Sequence, residues 1–171
     1  MQKDFSYPLK IDEIGQGDQH YKLIASKEQL DFLTEVLQVP SVHSFEADLK
    51  LKFYKKKGQL DITGRVTSEI GQISVISLEP FDKIYDTDFK LTFDTVSTYE
   101  DIKEKDVDIM ADIPDIVTNG EINLADIAIE QLALILDDYP RKEGEEFEEI
   151  IEDISPIRNN PFAVLESLKK K

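Results

Sequence analysis

The chain has 171 residues, 40% of them hydrophobic, and its 20 basic and 36 acidic side chains give a formal net charge of −16. That is enough for one folded domain burying roughly 70% of the surface of the unfolded chain, and a second domain is not required. The lack of cysteine excludes disulfides and thiolate chemistry, Met1-Gln2-Lys3-Asp4-Phe5 lacks a signal peptide's apolar core, and no stretch approaches the roughly 20 apolar residues of a membrane span, so a cytoplasmic location is expected.

Phe5 to Ile14 and His20 to Ala25 read as short strands separated by Gly15-Gln16-Gly17-Asp18, where two glycines permit a turn. Ser26 followed three residues later by Gln29 has the pattern of a capping box. Leu30, Leu33, Val36 and Leu37 then form one apolar stripe, and Pro40 forbids continuation, which predicts a helix over about 26 to 38. The clearest hairpin comes next. Leu49, Leu51 and Phe53 alternate inward on one strand, Leu60, Ile62 and Val66 on the other, and the turn falls near Lys55 to Gly58. Gly64 occupies an inward position, which predicts a bulge or a close approach there. Ile73 to Leu78 is apolar on both faces and rich in β-branched residues, the pattern of a covered central strand, and Phe89, Leu91 and Phe93 alternate as another.

Acids are frequent from about Val96 to Thr118 and no apolar period persists, which reads as loop with short elements. Leu124 to Leu136, capped by Asn123, is apolar nearly all round and predicts a buried helix. From Asp137 to Asp153 nine acids face only Arg141 and Lys142, and self-repulsion with little apolar area favours a mobile acidic linker. In the C-terminal stretch Asn160 and Pro161 open a short helix whose Phe162, Leu165 and Leu168 share a face, and Lys169, Lys170 and Lys171 suit its negative end. The expected fold is α+β, an antiparallel sheet or partly closed barrel with two packed helices. Its divisions are a core over 1–138, an acidic linker over 139–158 and a tail helix over 159–171.

Lys50, Lys52, Lys55, Lys56 and Lys57, with Tyr54 among them and Arg65 on the adjoining strand, make a basic cluster. Lysines neutralise phosphate and Tyr54 offers a ring for an unpaired base, so these residues and Lys169 to Lys171 are candidate RNA contacts. The competing reading is a solubilising, edge-protecting surface. Net charge opposes RNA at long range, yet screening over about 8 Å leaves a local basic patch effective. The anionic strip suits a basic partner, which makes Glu145, Glu146, Glu148 and Glu149, with Phe162, Leu165 and Leu168, candidate partner contacts. Asp106, Asp108, Asp112 and Asp115 lack the glycine and terminal glutamate of a calcium loop. His20 and His43 belong to no recognisable catalytic or metal pattern, and the pairs Asp86 with Asp88 and Glu121 with Asp126 are acid and base candidates only by composition. No glycine-rich phosphate loop is present, and no cofactor or small-molecule substrate is expected.

The phrase Asn160-Pro161-Phe162-Ala163-Val164-Leu165 continuing to Leu168-Lys169 resembles the ending of the bacterial YceD family, and Gly120-Glu121-Ile122-Asn123-Leu124 and Leu78-Glu79-Pro80-Phe81 are similar to internal phrases of that family. Many relatives carry aspartate at the place of Asn123 and a Cys-x-x-Cys pair where this chain has Ser74 and Ser77. Serine is a poor zinc ligand, so a metal role does not carry over. The resemblance implies a non-enzymatic factor supporting accumulation of large-subunit (23S) ribosomal RNA. Its expected partner is that RNA or, alternatively, a basic large-subunit ribosomal protein screened by an acidic adaptor.

Overall fold

In the computed structural model, residues 4–15, 17–98 and 115–146 are described. The frame is a five-stranded sheet in the order β2-β3-β4-β5-β6, built on Asp18–Ile24 (β2), Ser41–Tyr54 (β3), Gln59–Ile73 (β4), Pro80–Asp94 (β5) and Asp115–Ile116 (β6). β2 to β5 pair antiparallel, and β6 joins β5 in parallel through Phe93 and Asp94. The sheet is therefore mixed and does not close, which corrects the expectation of an antiparallel sheet or partly closed barrel. A separate two-stranded ribbon pairs Pro8–Lys10 (β1) with Glu121–Asn123 (β7).

Alternation places Phe45, Ala47, Leu49 and Leu51 of β3 beside Leu60, Ile62 and Val66 of β4 on one buried face. Helices Lys27–Leu37 (α1) and Leu124–Ala133 (α2) pack with this face in one hydrophobic core. The Ser26 N–H donates to Gln29 Oε1 at 2.9 Å at the start of α1, and Leu33 is fully buried. Val36, placed by periodicity on the same stripe, is exposed because it lies at the edge of that stripe, about 100° round the helix from Leu37, which packs against the core. Asn123 carries three duties. Its Oδ1 caps α2 by accepting from Ala125 N–H at 3.1 Å and also accepts from Tyr7 N–H at 2.8 Å, while its Nδ2 donates to Ser6 Oγ at 3.0 Å.

Three further expectations need correction, and a fourth, at Gly64, resolves to one of its two alternatives. Phe5 to Ile14 is not one strand: only Pro8–Lys10 pairs, and a single 3-10 turn at Ile11–Glu13 follows, with Ile11 N–H held by the Gly120 carbonyl at 2.9 Å. Ile73 to Leu78 is not a central strand. β4 ends at Ile73, and the chain turns because Ser74 Oγ accepts from Ile76 N–H at 3.1 Å and Ser77 N–H at 3.3 Å, with Leu78 in a left-handed conformation at φ 61°. The local serine turn overrides β propensity, leaving Ile73, Val75 and Leu78 exposed. α2 stops at Ala133, three residues early, and Leu134 is 77% exposed rather than in the core. Gly64 carries no bulge. Its pairing with Leu49 and Phe89 is regular, and a Cβ there would meet both side chains at 2.6 Å, so the close approach is the reason for glycine. The one register shift of β3 against β4 is instead between Val42 and Ser44.

Leu132 is fully buried, so Leu132→Ala is expected to cost ~2–5 kcal/mol in denaturant unfolding, whereas Leu134→Ala is expected to stay within about 0.5 kcal/mol. Asn123→Ala is expected to cost about 1–2 kcal/mol, and Asn123→Asp, which keeps both acceptor bonds, less than about 1 kcal/mol.

Candidate functional site

The basic cluster divides into two environments. On the outward face of the sheet, Lys50 pairs with Asp18 at 2.6 Å, Lys22 pairs with Glu46 at 2.6 Å, and Arg65 donates through Nε to Asp86 Oδ1 at 2.8 Å and through Nη2 to Asp86 Oδ2. The hydrogen bond from Lys50 holds Asp18 below the usual carboxylate range, and Asp86 raises the already high pKa of Arg65. Lys50 and Arg65 thus belong to an ion-pair lattice rather than to an open cationic patch. Asp86, engaged by Arg65 and by Thr67 at 3.2 Å, is likewise not poised as a free base.

The hairpin tip differs. Lys55, Lys56 and Lys57 are exposed in the turn, and Gly58 at φ 61° lets the chain reverse. Lys57 N–H donates to the Tyr54 carbonyl at 2.8 Å. The Lys52 and Lys57 ammonium groups lie 5.3 and 6.0 Å from the Tyr54 ring centroid, so the half-buried ring is the centre of a small cationic surface. Lys169, Lys170 and Lys171 lie outside the described residues, as do Phe162, Leu165, Leu168, Glu148 and Glu149.

At the far end of β4 the start of the acidic segment is held against the β4–β5 turn. Fully buried Ser74 donates through Oγ to Glu145 Oε2, which also accepts from Lys142 N–H at 3.0 Å. Val75 N–H donates to the Pro140 carbonyl at 2.8 Å, Lys142 pairs with Glu79, and Asp137 receives Lys83 Nζ at 2.5 Å and the Tyr85 hydroxyl at 3.0 Å. Residues 137–146 therefore do not form the free spacer expected from composition. Hydrogen bonds compensate for charge repulsion at this point. They also move the pKa values: the Ser74 hydroxyl lowers Glu145, Lys83 lowers Asp137, and burial followed by the Asp137 hydrogen bond pushes Tyr85 up to about 12. Periodicity carried no sign of this corner. The signal was the serine pair itself, since a serine that accepts from the backbone two and three residues on makes a turn.

Between the turn and this segment runs an open groove of about 1450 Å³, lined by residues 75–76, 81–84 and 136–146. Glu146, Tyr139 and Ile84 are among the lining residues, and Tyr139 and Ile84 are largely exposed to solvent.

One constellation superficially suggests hydrolysis. Ser41 Oγ is 3.2 Å from His43 Nε2, which is 3.0 Å from Asp82 Oδ1. Both partners meet the same ring nitrogen, whereas a nucleophile relay needs the serine on one nitrogen and the carboxylate on the other. Gly71 provides the space for this cluster. Asp115 stands in β6, while Asp106, Asp108 and Asp112 lie outside the described residues, and among the described residues no three histidine or acidic side chains are grouped to hold a metal. No helix among the described residues is long and apolar enough to cross a membrane.

Because Asp137 and Glu145 ionise more readily folded than unfolded, their stabilisation is complete above their ordinary values of 3.8 and 4.5 and is lost as pH falls through and below these values. Asp137→Asn and Glu145→Gln are expected to flatten the decline of stability with acid, measured by denaturant unfolding from about pH 6 to pH 2. Tyr85 acts on the opposite side: its contribution is present below its ordinary value of 10 and lost as pH rises towards about 12.

A family model described as "Large ribosomal RNA subunit accumulation protein YceD" matches residues 62–169, more than half of the chain. No curated protein and no solved structure matches.

Proposed function

The chain belongs to the YceD family, and from that membership we propose that it is a non-enzymatic factor supporting accumulation of large-subunit (23S) ribosomal RNA. The observation behind direct RNA contact is the hairpin tip, where Tyr54 stands beneath Lys52 and Lys57 with Lys55 and Lys56 exposed next to it. Four lysines neutralise phosphates while the ring stacks on an unpaired base, a mode that single-stranded RNA segments allow and a regular duplex does not. Lys50 and Arg65 serve this surface as its charge-balanced support.

A second reading rests on a different observation. The matched residues include the acidic groove and exclude the tip. An adaptor that screens a basic large-subunit ribosomal protein uses anionic side chains presented beside exposed apolar ones, as Glu145 and Glu146 are beside Tyr139.

The test is binding of the full-length protein to single-stranded fragments of large-subunit ribosomal RNA. With about four phosphates contacted, affinity is expected to fall ~50-fold between 50 and 200 mM salt. Replacing Lys55, Lys56 and Lys57 by glutamate is expected to abolish binding while the circular dichroism spectrum stays unchanged. Retained affinity in that variant removes RNA contact at the tip. Capture of the tagged protein from its own lysate, with and without nuclease, separates the readings. Nuclease-sensitive recovery of large-subunit RNA supports the first. Nuclease-resistant recovery of one basic ribosomal protein, lost when Glu145, Glu146, Glu148 and Glu149 become glutamine, supports the second.

A further inference from the structure

The groove between the β4–β5 turn and residues 136–146 leaves large apolar surface in water. Tyr139 is 79% exposed and Ile84 68% exposed, with Val75 beside them. Six acids and three bases line it, and two of the bases, Lys83 and Lys142, are already paired with Asp137 and Glu79. Asp138, Glu143 and Glu146 have no basic partner within 4 Å among the described residues. An occupant that suits this surface carries apolar anchors and an excess of positive charge.

The chain itself supplies one. We propose that the groove is the dock for its own segment Asn159–Lys171, with Phe162, Leu165 and Leu168 set against Val75, Ile84 and Tyr139 and the three terminal lysines against the unpaired acids. Three observations converge on this occupant. The described chain ends at Glu146, itself a lining residue. Only residues 147–158 intervene, and such a stretch spans up to about 40 Å when extended, so it reaches any point of the groove. The segment holds three apolar side chains at three-residue spacing and three consecutive lysines, the complement of the lining in both respects. Covalent connection makes the encounter intramolecular, at an effective concentration on the order of millimolar, so modest contacts suffice. The inference does not depend on RNA contact at the hairpin tip.

The test uses the full-length chain with Tyr139 replaced by the photo-crosslinking residue benzoylphenylalanine, which keeps an aromatic ring in the groove. Equal amounts of heavy-isotope and ordinary chains are mixed, irradiated over a hundredfold dilution and analysed by mass spectrometry. Cross-links from position 139 to residues 159–171 of the same chain, in constant yield on dilution, are expected. Phe162→Asp with Leu165→Asp is expected to lower that yield at least about tenfold and to speed amide exchange at Val75, Ile84 and Tyr139. Cross-links joining heavy to ordinary chains overturn the proposal in favour of exchange between copies. Absence of tail cross-links, with unchanged exchange in the double variant, overturns it altogether.

Discussion

One-sided burial of three long strands governs the molecule. β3, β4 and β5 run 14, 15 and 15 residues and stay in register almost throughout. A period of two then commits every second side chain to the core, and a slip of one residue would reverse all of them. The helices and the β1–β7 ribbon share the buried side. The other side meets water, and there the same alternation brings lysine, arginine and acid into cross-strand contact. Lys50 and Arg65 are held by this lattice, and their charges are balanced by Asp18 and Asp86. Exposed pairs of this kind add little stability, typically about 0–1 kcal/mol each, but they determine which cations stay available to an incoming ligand.

The length of β4 also keeps two electrostatic surfaces apart. Its first residue adjoins the lysine-bearing tip and its last adjoins the serine turn and acidic groove. Fifteen residues at about 3.3 Å each separate them by about 50 Å, several screening lengths at physiological salt. Among the described residues, the lysine-bearing turn and the start of the acidic segment thus lie at opposite ends of the sheet.

Much of this frame was legible. Strand alternation around Leu49, Leu51, Leu60 and Ile62, the capping pair Ser26 and Gln29, and Asn123 as the start of the second helix all express local chemistry that the fold retains. The errors share a cause. At Ile73 to Leu78 and at Leu134, apolar composition suggested burial, but serine turn bonds and an early helix end decided otherwise. The parallel addition of Asp115 and Ile116 to β5 joins positions distant in sequence and had no local signal. For the basic cluster, composition identified the cations and alternation placed Lys50 outward, but pairing with Asp18 depends on β2 lying beside β3. The clasp between Ser74 and Glu145 spans 71 residues and was visible only as a serine pair of unassigned purpose.

That clasp sets what this corner of the protein responds to. A hydroxyl bonded to a carboxylate has no sulfur to oxidise and no soft donor for a transition metal, so oxidants and thiol reagents leave it unchanged. The proton is its natural reagent. Protonated Glu145 would lose its negative charge, and with it much of the strength of the bonds from Ser74 and Lys142. The junction between the sheet and the acidic segment is thereby tied to the acidity of its surroundings rather than to their redox state or metal supply.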